Sequence, residues 1–232
     1  MIQWQGSYCG PAPAPADLFS SWNFDPVALA VLVVLALWVA RTRPGAAAIV
    51  VLAFAFLSPL CALSSALFSA RVVHHVLLVA IAAPLLALSR PAKAPVAVGL
   101  PFLSATAALW LWHVPAAYDA ALGHKALYGA MQASLFGSAW LFWRAAFSQP
   151  GGAGVIWVFL ACLAMGMLGA ILTLAPEAVY ATHALAPFMW GLSPLSDQQL
   201  GGLVMWMPAG LPFAVWCGML ARRAWRDMGA VT

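Results

Sequence analysis

AAFSQPGGAGVIWVFLACLAMGMLGAILTLAP, residues 145–176, contains no Asp, Glu, Lys or Arg. A helix needs about 18–20 apolar residues to cross a bilayer core roughly 30 Å thick. The run therefore predicts a membrane-spanning helix over 154–176, opened by the glycines of GGAG at 151–154. The rest of the chain has the same character. Its 232 residues are 65% hydrophobic and only 7% charged, with a mean hydropathy of +0.94, whereas soluble domains carry roughly 25% charged residues. So little polar surface cannot coat a soluble globule. The expected fold class is all-α, a polytopic helical bundle whose solvent is the lipid bilayer.

Six further apolar segments, at about 24–41, 46–68, 71–89, 94–113, 126–147 and 199–221, bring the expected transmembrane helices to seven. The organisation is an extracytoplasmic tail over 1–23, a transmembrane domain over 24–221 and a cytoplasmic tail over 222–232. The tail has neither a basic leader nor a continuous apolar core and does not resemble a cleaved signal peptide. The first span is the shortest: 15 residues separate Asp25 from Arg41, about 22 Å of helix at 1.5 Å per residue. Its ends must snorkel, or the helix must begin before Asp25. Prolines 59, 84, 101, 208 and 212 are expected to kink or break several spans.

Basic residues set the orientation. With the N-terminus outside, Arg41, Arg43, Arg90, Lys93, Arg144, Arg222, Arg223 and Arg226 face the cytoplasm, and only Arg71 and Lys125 face out. Eight against two predicts an N-out, C-in layout. The net charge of +4 then reports topology, not nucleic-acid binding. All five histidines, His74, His75, His113, His124 and His183, fall on the outer side. One such imidazole reads as an interfacial side chain with its tip in water. Five at one depth form a candidate metal or haem site.

Arg71 stands three and four residues before His74 and His75, on one helical face. A buried arginine needs a partner, and Asp119, Glu177 and Asp197 lie on its side; the alternative is snorkelling to headgroups. In SPLSDQQLGGLVMWMPAG, residues 193–210, Asp197, Gly201 and Met205 share a face, with Met207 on another. Thioethers suit Cu(I), although methionine is more often a core gap-filler. Asp197 also suits a helix N-cap. The four cysteines show neither zinc nor thioredoxin spacing, so no structural disulfide is expected, and Cys61 could reach a copper site. No phosphate-binding loop, nucleophile elbow or HExxH is present, and the protein is not expected to be an enzyme.

Three stretches together resemble the CtaG-type membrane assembly factors of cytochrome c oxidase. They are ALFSARVVHHVLLVAIAAPLLAL (66–88), LWLWHVPAAYDAALGHKALYGAMQASLFGSAWLFW (109–143) and SPLSDQQLGGLVMWMPAG (193–210). The resemblance implies a multi-pass protein of the bacterial cytoplasmic (inner) membrane that acts in haem-copper oxidase assembly. Its partners would be an oxidase subunit or other assembly factors. The family's His-x-x-x-His pattern is here Arg71 and His75, with His74 at a position that is usually glutamine. Trp112, His113 and Pro115 match its Trp-His-x-Pro segment, followed by Tyr118 and Asp119. Tyr128 and Gln132 stand where later histidines are expected. Asp197, Gln198, Gln199, Met205 and Trp206 match its last segment.

The leading expectation is a carrier that holds copper at the outer face. His74, His75, His113, Met205 and Met207 are its candidate ligands, and Arg71, Asp119, Asp197, Gln198 and Trp206 surround and position them. The alternatives are a metal-free chaperone that clamps an oxidase subunit, and a haem-binding or copper-transporting membrane protein.

Overall fold

The computed structural model describes residues 8–229 and, among these, is built from helices alone. We number the α-helices α1 (Pro26–Val39), α2 (Arg43–Leu57), α3 (Pro59–Ala66), α4 (Phe68–Ser89), α5 (Gly99–Leu111), α6 (Pro115–Gly123), α7 (Lys125–Phe147), α8 (Ala153–Leu174), α9 (Pro194–Trp206) and α10 (Gly210–Gly229). Each expected apolar segment contains helix, though the segment 94–113 becomes helical only at Gly99 and the segments 46–68 and 199–221 are interrupted near Ser58 and at 207–209. Three units are long and apolar enough to cross a bilayer: Phe68–Ser89, Ala153–Leu174 and Pro194–Gly229. The pair α2–α3, bent by 49°, makes a fourth. The helices α1 and α5 are shorter and apolar. The 23 residues of α7 are diluted by Gln132, Ser134, Ser138 and Arg144. On length and composition the described residues thus offer three to four candidate spans, not clearly seven.

The prolines act in different ways. At Ser58–Pro59 the helix breaks; Ser58 caps α3 by accepting from the Leu60 amide. Pro208 separates α9 from α10. Pro101 and Pro212 fall in the first turns of α5 and α10. There the missing N–H costs nothing, so the kinks expected at these two positions do not form. Pro84 is accommodated inside α4. Lacking an N–H, it cannot bond the carbonyl four residues back, that of Ala80, and the segment Leu77–Ala82 is wound as a π-helix. The Ala80 carbonyl instead accepts from the Trp216 indole (2.9 Å), and the Val79 carbonyl from the Trp143 indole (2.7 Å). Two tryptophans from α7 and α10 therefore satisfy backbone that no lipid could.

The first helix starts after Asp25, not before it: the Asp25 carboxylate caps α1 by accepting from the Val27 and Ala28 amides. The final helix continues through residues assigned to a tail and reaches Gly229; residues 230–232 and 1–7 of the expected tails lie outside the described residues. Residues 8–25 do not hang free. A short 3-10 turn spans Pro15–Ser20, and Cys9 is disulfide-bonded to Cys61 of α3. This corrects the expectation of no structural disulfide. The two cysteines are 52 residues apart and meet only because the N-terminal strap folds back across α3, a proximity that cysteine spacing cannot report. Opening the cross-link by reduction, or in Cys9→Ser/Cys61→Ser, is expected to cost about 2–4 kcal/mol for a loop of this length. A lower melting temperature in detergent and faster proteolysis ahead of Pro26 would show it; an unchanged melting curve would mean that the strap is held by packing alone.

The helices α8 and α9 cross closely at Gly169 and Gly202. A Cβ on Gly202 would lie 2.6 Å from the Thr173 nitrogen and 2.7 Å from the Gly169 carbonyl oxygen. Another face of α9 packs on α4, where a Cβ on Gly201 would lie 2.5 Å from the Phe68 ring. The two ends of the bundle differ in charge. At one end Arg90 donates to the Trp38 carbonyl, Arg144 to that of Arg90 and Arg223 to that of Phe147. At the other end lie the histidines.

Candidate functional site

The start of α4 organises this second end. Phe68 and Ser69 open the helix, and the buried Asp197 of α9 accepts from the Phe68 amide (2.6 Å), the Ser69 amide (3.1 Å) and the Ser69 hydroxyl (2.5 Å). A carboxylate at a helix N-terminus meets both the free amides and the positive end of the macrodipole. The Phe68 ring stacks on Tyr180 (4.6 Å between centroids) and touches the rings of Tyr118, His113 and His183.

One turn further along α4, Arg71, His74 and His75 are all buried. Their neighbours are His113 at the end of α5, and Tyr128 and Gln132 on α7. The ring centroids of His74 and His75 lie 5.8 Å apart, and those of His75 and His113 6.2 Å apart. His113 Nδ1 is 2.7 Å from the Leu109 carbonyl. A carbonyl only accepts, so Nδ1 carries the proton and Nε2 presents a lone pair. His75 Nε2 lies 3.5 Å from the Gln132 amide nitrogen, while His75 Nδ1 and both nitrogens of His74 have no hydrogen-bond partner of ordinary geometry among the described residues, the Ala55 backbone lying beside the His74 ring at longer range. Rotating the Gln132 amide would let its oxygen, also unpartnered, accept from Nε2–H and free the His75 Nδ1 lone pair.

Arg71 departs from expectation. The guanidinium is 0% exposed, so it does not snorkel. Among the described residues it forms no ion pair: Nη1 donates to the Tyr128 hydroxyl (3.0 Å), Cζ sits 5.2 Å over the Tyr128 ring, and Nε and Nη2 are unpartnered. Of the three carboxylates expected to pair with it, Glu177 is exposed and the other two hold backbone. Asp197 caps α4, and Asp119 accepts from the Ala181 and Thr182 amides and the Thr182 hydroxyl. Each thereby ties a loop or helix start that would otherwise leave amides unsatisfied.

The remaining expected residues divide. Gln198 is buried and latches the segment after α8, accepting from the Val179 amide (2.7 Å) and donating to the Glu177 carbonyl. Met205 is buried where α9 meets Gly169 of α8, which is the gap-filling role. Met207, 64% exposed at the break before α10, points away from the cluster, and Trp206 is 44% exposed, packed past Gly166. Of the five side chains expected to be ligands, the structure brings His74, His75 and His113 together and leaves Met205 and Met207 apart from them. Cys61, bonded to Cys9, is not a free thiolate. Among the described residues no group of three or more His, Cys, Asp or Glu side chains is placed to hold a metal ion. Two or three imidazoles with open nitrogens are a donor set that fits only low-coordinate, soft-metal binding.

His183, read from sequence as one of five interfacial histidines, is buried, as are His74, His75 and His113; His124 alone is exposed. His183 Nδ1 donates to the Ala66 carbonyl (3.2 Å), so Nε2 accepts from the Tyr118 hydroxyl (2.7 Å). Burial, with the Arg71 charge nearby, pushes this imidazole down to about 4, and it is neutral at pH 7. Tyr118 and Tyr180 are parts of the site that sequence reasoning missed as such. Tyr180 donates to the His113 carbonyl (3.0 Å) and so holds the α5–α6 turn. The strap covers the cluster: Tyr8 stacks on Tyr128 (4.9 Å), its hydroxyl donates to Asp25, and Cys9 Sγ lies 3.4 Å from the Tyr128 hydroxyl.

The family model for the cytochrome c oxidase caa3 assembly factor (Caa3_CtaG) matches residues 36–100 and 95–227. Comparison with curated proteins and with solved structures finds no match. The matched residues include the start of α4, the His113 turn, α7 and the Asp197 cap, which are the elements that assemble the polar cluster. On this coverage the chain belongs to the Caa3_CtaG family of cytochrome c oxidase assembly factors.

Proposed function

We propose that the protein assists oxidase assembly by holding Cu(I) briefly between His75 and His113, with His74 beside them, and passing it to an oxidase subunit. The observation that carries this reading is the set of buried imidazole nitrogens without partners beside the lone pair of His113 Nε2. Leaving a buried polar atom unsatisfied costs about 1–3 kcal/mol, a cost that cargo binding removes. The unpaired Arg71 charge next to the site opposes a cation and weakens its retention, which suits transfer over storage. Copper is here cargo, and no bond of the protein is made or broken.

The reading places the cluster on the outer side of a bacterial cytoplasmic membrane, with seven crossings and the N-terminus outside. Its support is the basic end formed by Arg90, Arg144 and Arg223, which the positive-inside bias assigns to the cytoplasm. The Cys9–Cys61 bond at the opposite end belongs in an oxidising compartment.

A second reading, a metal-free chaperone that clamps an oxidase helix, is favoured by Tyr128 and Gln132, which bond Arg71 and His75 where two more ligands could have stood. Anaerobic Cu(I) titration against a competing chelator decides between them. The expected result is about one Cu(I) per wild-type chain and at least a tenfold loss of affinity in His75→Ala/His113→Ala. Equal, weak binding by both folded proteins would overturn the copper reading and leave the chaperone. A Soret band in the purified protein would replace copper by haem.

A further inference from the structure

We propose that the basic end carries a binding site for the phosphodiester headgroup of an anionic phospholipid. Between the ends of α4, α7 and α10 lies a cleft of about 270 Å³ lined by Lys93, Arg144 and Arg223, with Ser148, Leu88 and Phe147 also in its lining. Among the described residues no Asp or Glu lines it. Three cations thus converge on one cavity whose described lining holds no carboxylate.

The cations are held in place by groups that leave their charge available. Arg144 gives its Nε to the Arg90 carbonyl (3.1 Å), and its Cζ lies 5.8 Å over the Trp140 ring, so both terminal nitrogens remain. Arg223 gives Nη1 to the Phe147 carbonyl (3.1 Å) and keeps the other donors of its fork. Lys93 is exposed in the segment between α4 and α5 and has no hydrogen-bond partner among the described residues. Ser148 already accepts from the Val96 amide and donates to the Ala145 carbonyl, which anchors that segment across the cleft. Guanidinium forks match two phosphate oxygens, while an ammonium supplies a point charge.

The location selects a lipid over a soluble anion. The cleft sits where α4, α7 and α10 end, so its charged side chains lie at headgroup depth, and Leu88 and Phe147 in its lining offer apolar surface to the first acyl carbons. A zwitterionic lipid brings a cationic group that three positive charges repel; an anionic one does not. The inference is independent of copper, because the cleft and the histidines occupy opposite ends of the bundle.

The test uses delipidated full-length protein in detergent, titrated with phosphatidylglycerol, phosphatidylcholine or inorganic phosphate and read by native mass spectrometry and thermal stability. One phosphatidylglycerol per chain is expected, bound at least tenfold more tightly than phosphatidylcholine. Each removed charge should weaken it about fivefold and the pair Lys93→Gln/Arg223→Gln about thirtyfold. Lys93→Gln breaks no hydrogen bond or ion pair among the described residues, so its expected fivefold loss is read against an unchanged melting temperature of the lipid-free protein. Equal binding of the two lipids, or unaltered phosphatidylglycerol binding in Lys93→Gln, would overturn the proposal. Displacement of phosphatidylglycerol by millimolar inorganic phosphate, with equal stabilisation, would overturn the lipid as ligand and leave a free-phosphate site.

Discussion

Asp197→Ala should cost about 3–5 kcal/mol and leave little folded protein extractable from membranes. The carboxylate is fully buried and accepts three hydrogen bonds, two of them from the amides that open α4. Its removal strands those amides, at about 1–3 kcal/mol each, and exposes the positive end of the helix dipole to an apolar surrounding. Asp197→Asn keeps one acceptor oxygen where two are in use, so about half the loss is expected. Thermal unfolding in detergent ranks the three proteins. If Asp197→Ala were as stable as wild type, the cap would be dispensable and α4 would be held by its packing against α9 alone. Because Arg71, His74 and His75 ride on the same helix, Asp197→Asn should also weaken any ligand bound by His75 and His113, although Asp197 touches neither.

Gly202→Val should be at least as damaging, by a different route. A Cβ there would sit 2.6 Å from the Thr173 nitrogen and 2.7 Å from the Gly169 oxygen. Those are backbone atoms of a helix and cannot rotate away. The helices α8 and α9 must therefore separate, and overpacking alone costs about 1–3 kcal/mol, to which the lost contacts add. Gly129→Ala on α7 is the control, since a Cβ at that position meets nothing within 4 Å and should leave stability unaltered or slightly raised by better helix propensity. A Gly202→Val protein that melts with wild type would mean that α9 does not cross α8 this closely.

Both substitutions act at a distance from the imidazoles, and this bears on how the site works. The cluster is assembled by the pairing of α4 with α9 and of α4 with α7, and no single loop carries it. Tyr128 and Gln132 meet Arg71 and His75 because both pairs are four residues apart on their helices, one turn each. An oxidase partner that engages the strap over Tyr128 would touch the cluster through Tyr8 and Cys9.

What was legible in the sequence is what depends on local composition. Helices at every expected apolar segment, the breaks at Pro59 and Pro208, the Gly151–Gly154 opening of α8 and the gathering of polar groups at one end follow from hydropathy, helix period and proline's missing N–H. Those properties act within a few residues of each position, and membrane insertion reads them one segment at a time. The resemblance drew attention to positions on α4, α5 and α7 that the structure packs together, including Tyr128 and Gln132, which composition alone would have passed over.

The tertiary structure decided which of those side chains meet. Arg71 lies against a tyrosine instead of a carboxylate, Asp119 and Asp197 hold backbone amides, Met207 faces outward and Cys9 finds Cys61 across 52 residues. None of this is written in spacing, because it turns on the rotation of each helix about its axis and on how closely pairs can approach. Gly169 and Gly202 set that approach for α8 and α9, and the indoles of Trp143 and Trp216 set it around the π-helical turn of α4. Composition alone made the chain a bundle of apolar helices with a polar end; non-local packing chose the partners inside that end, since a buried hydrogen-bonding group takes whichever neighbour the crossing of two helices brings within 3 Å.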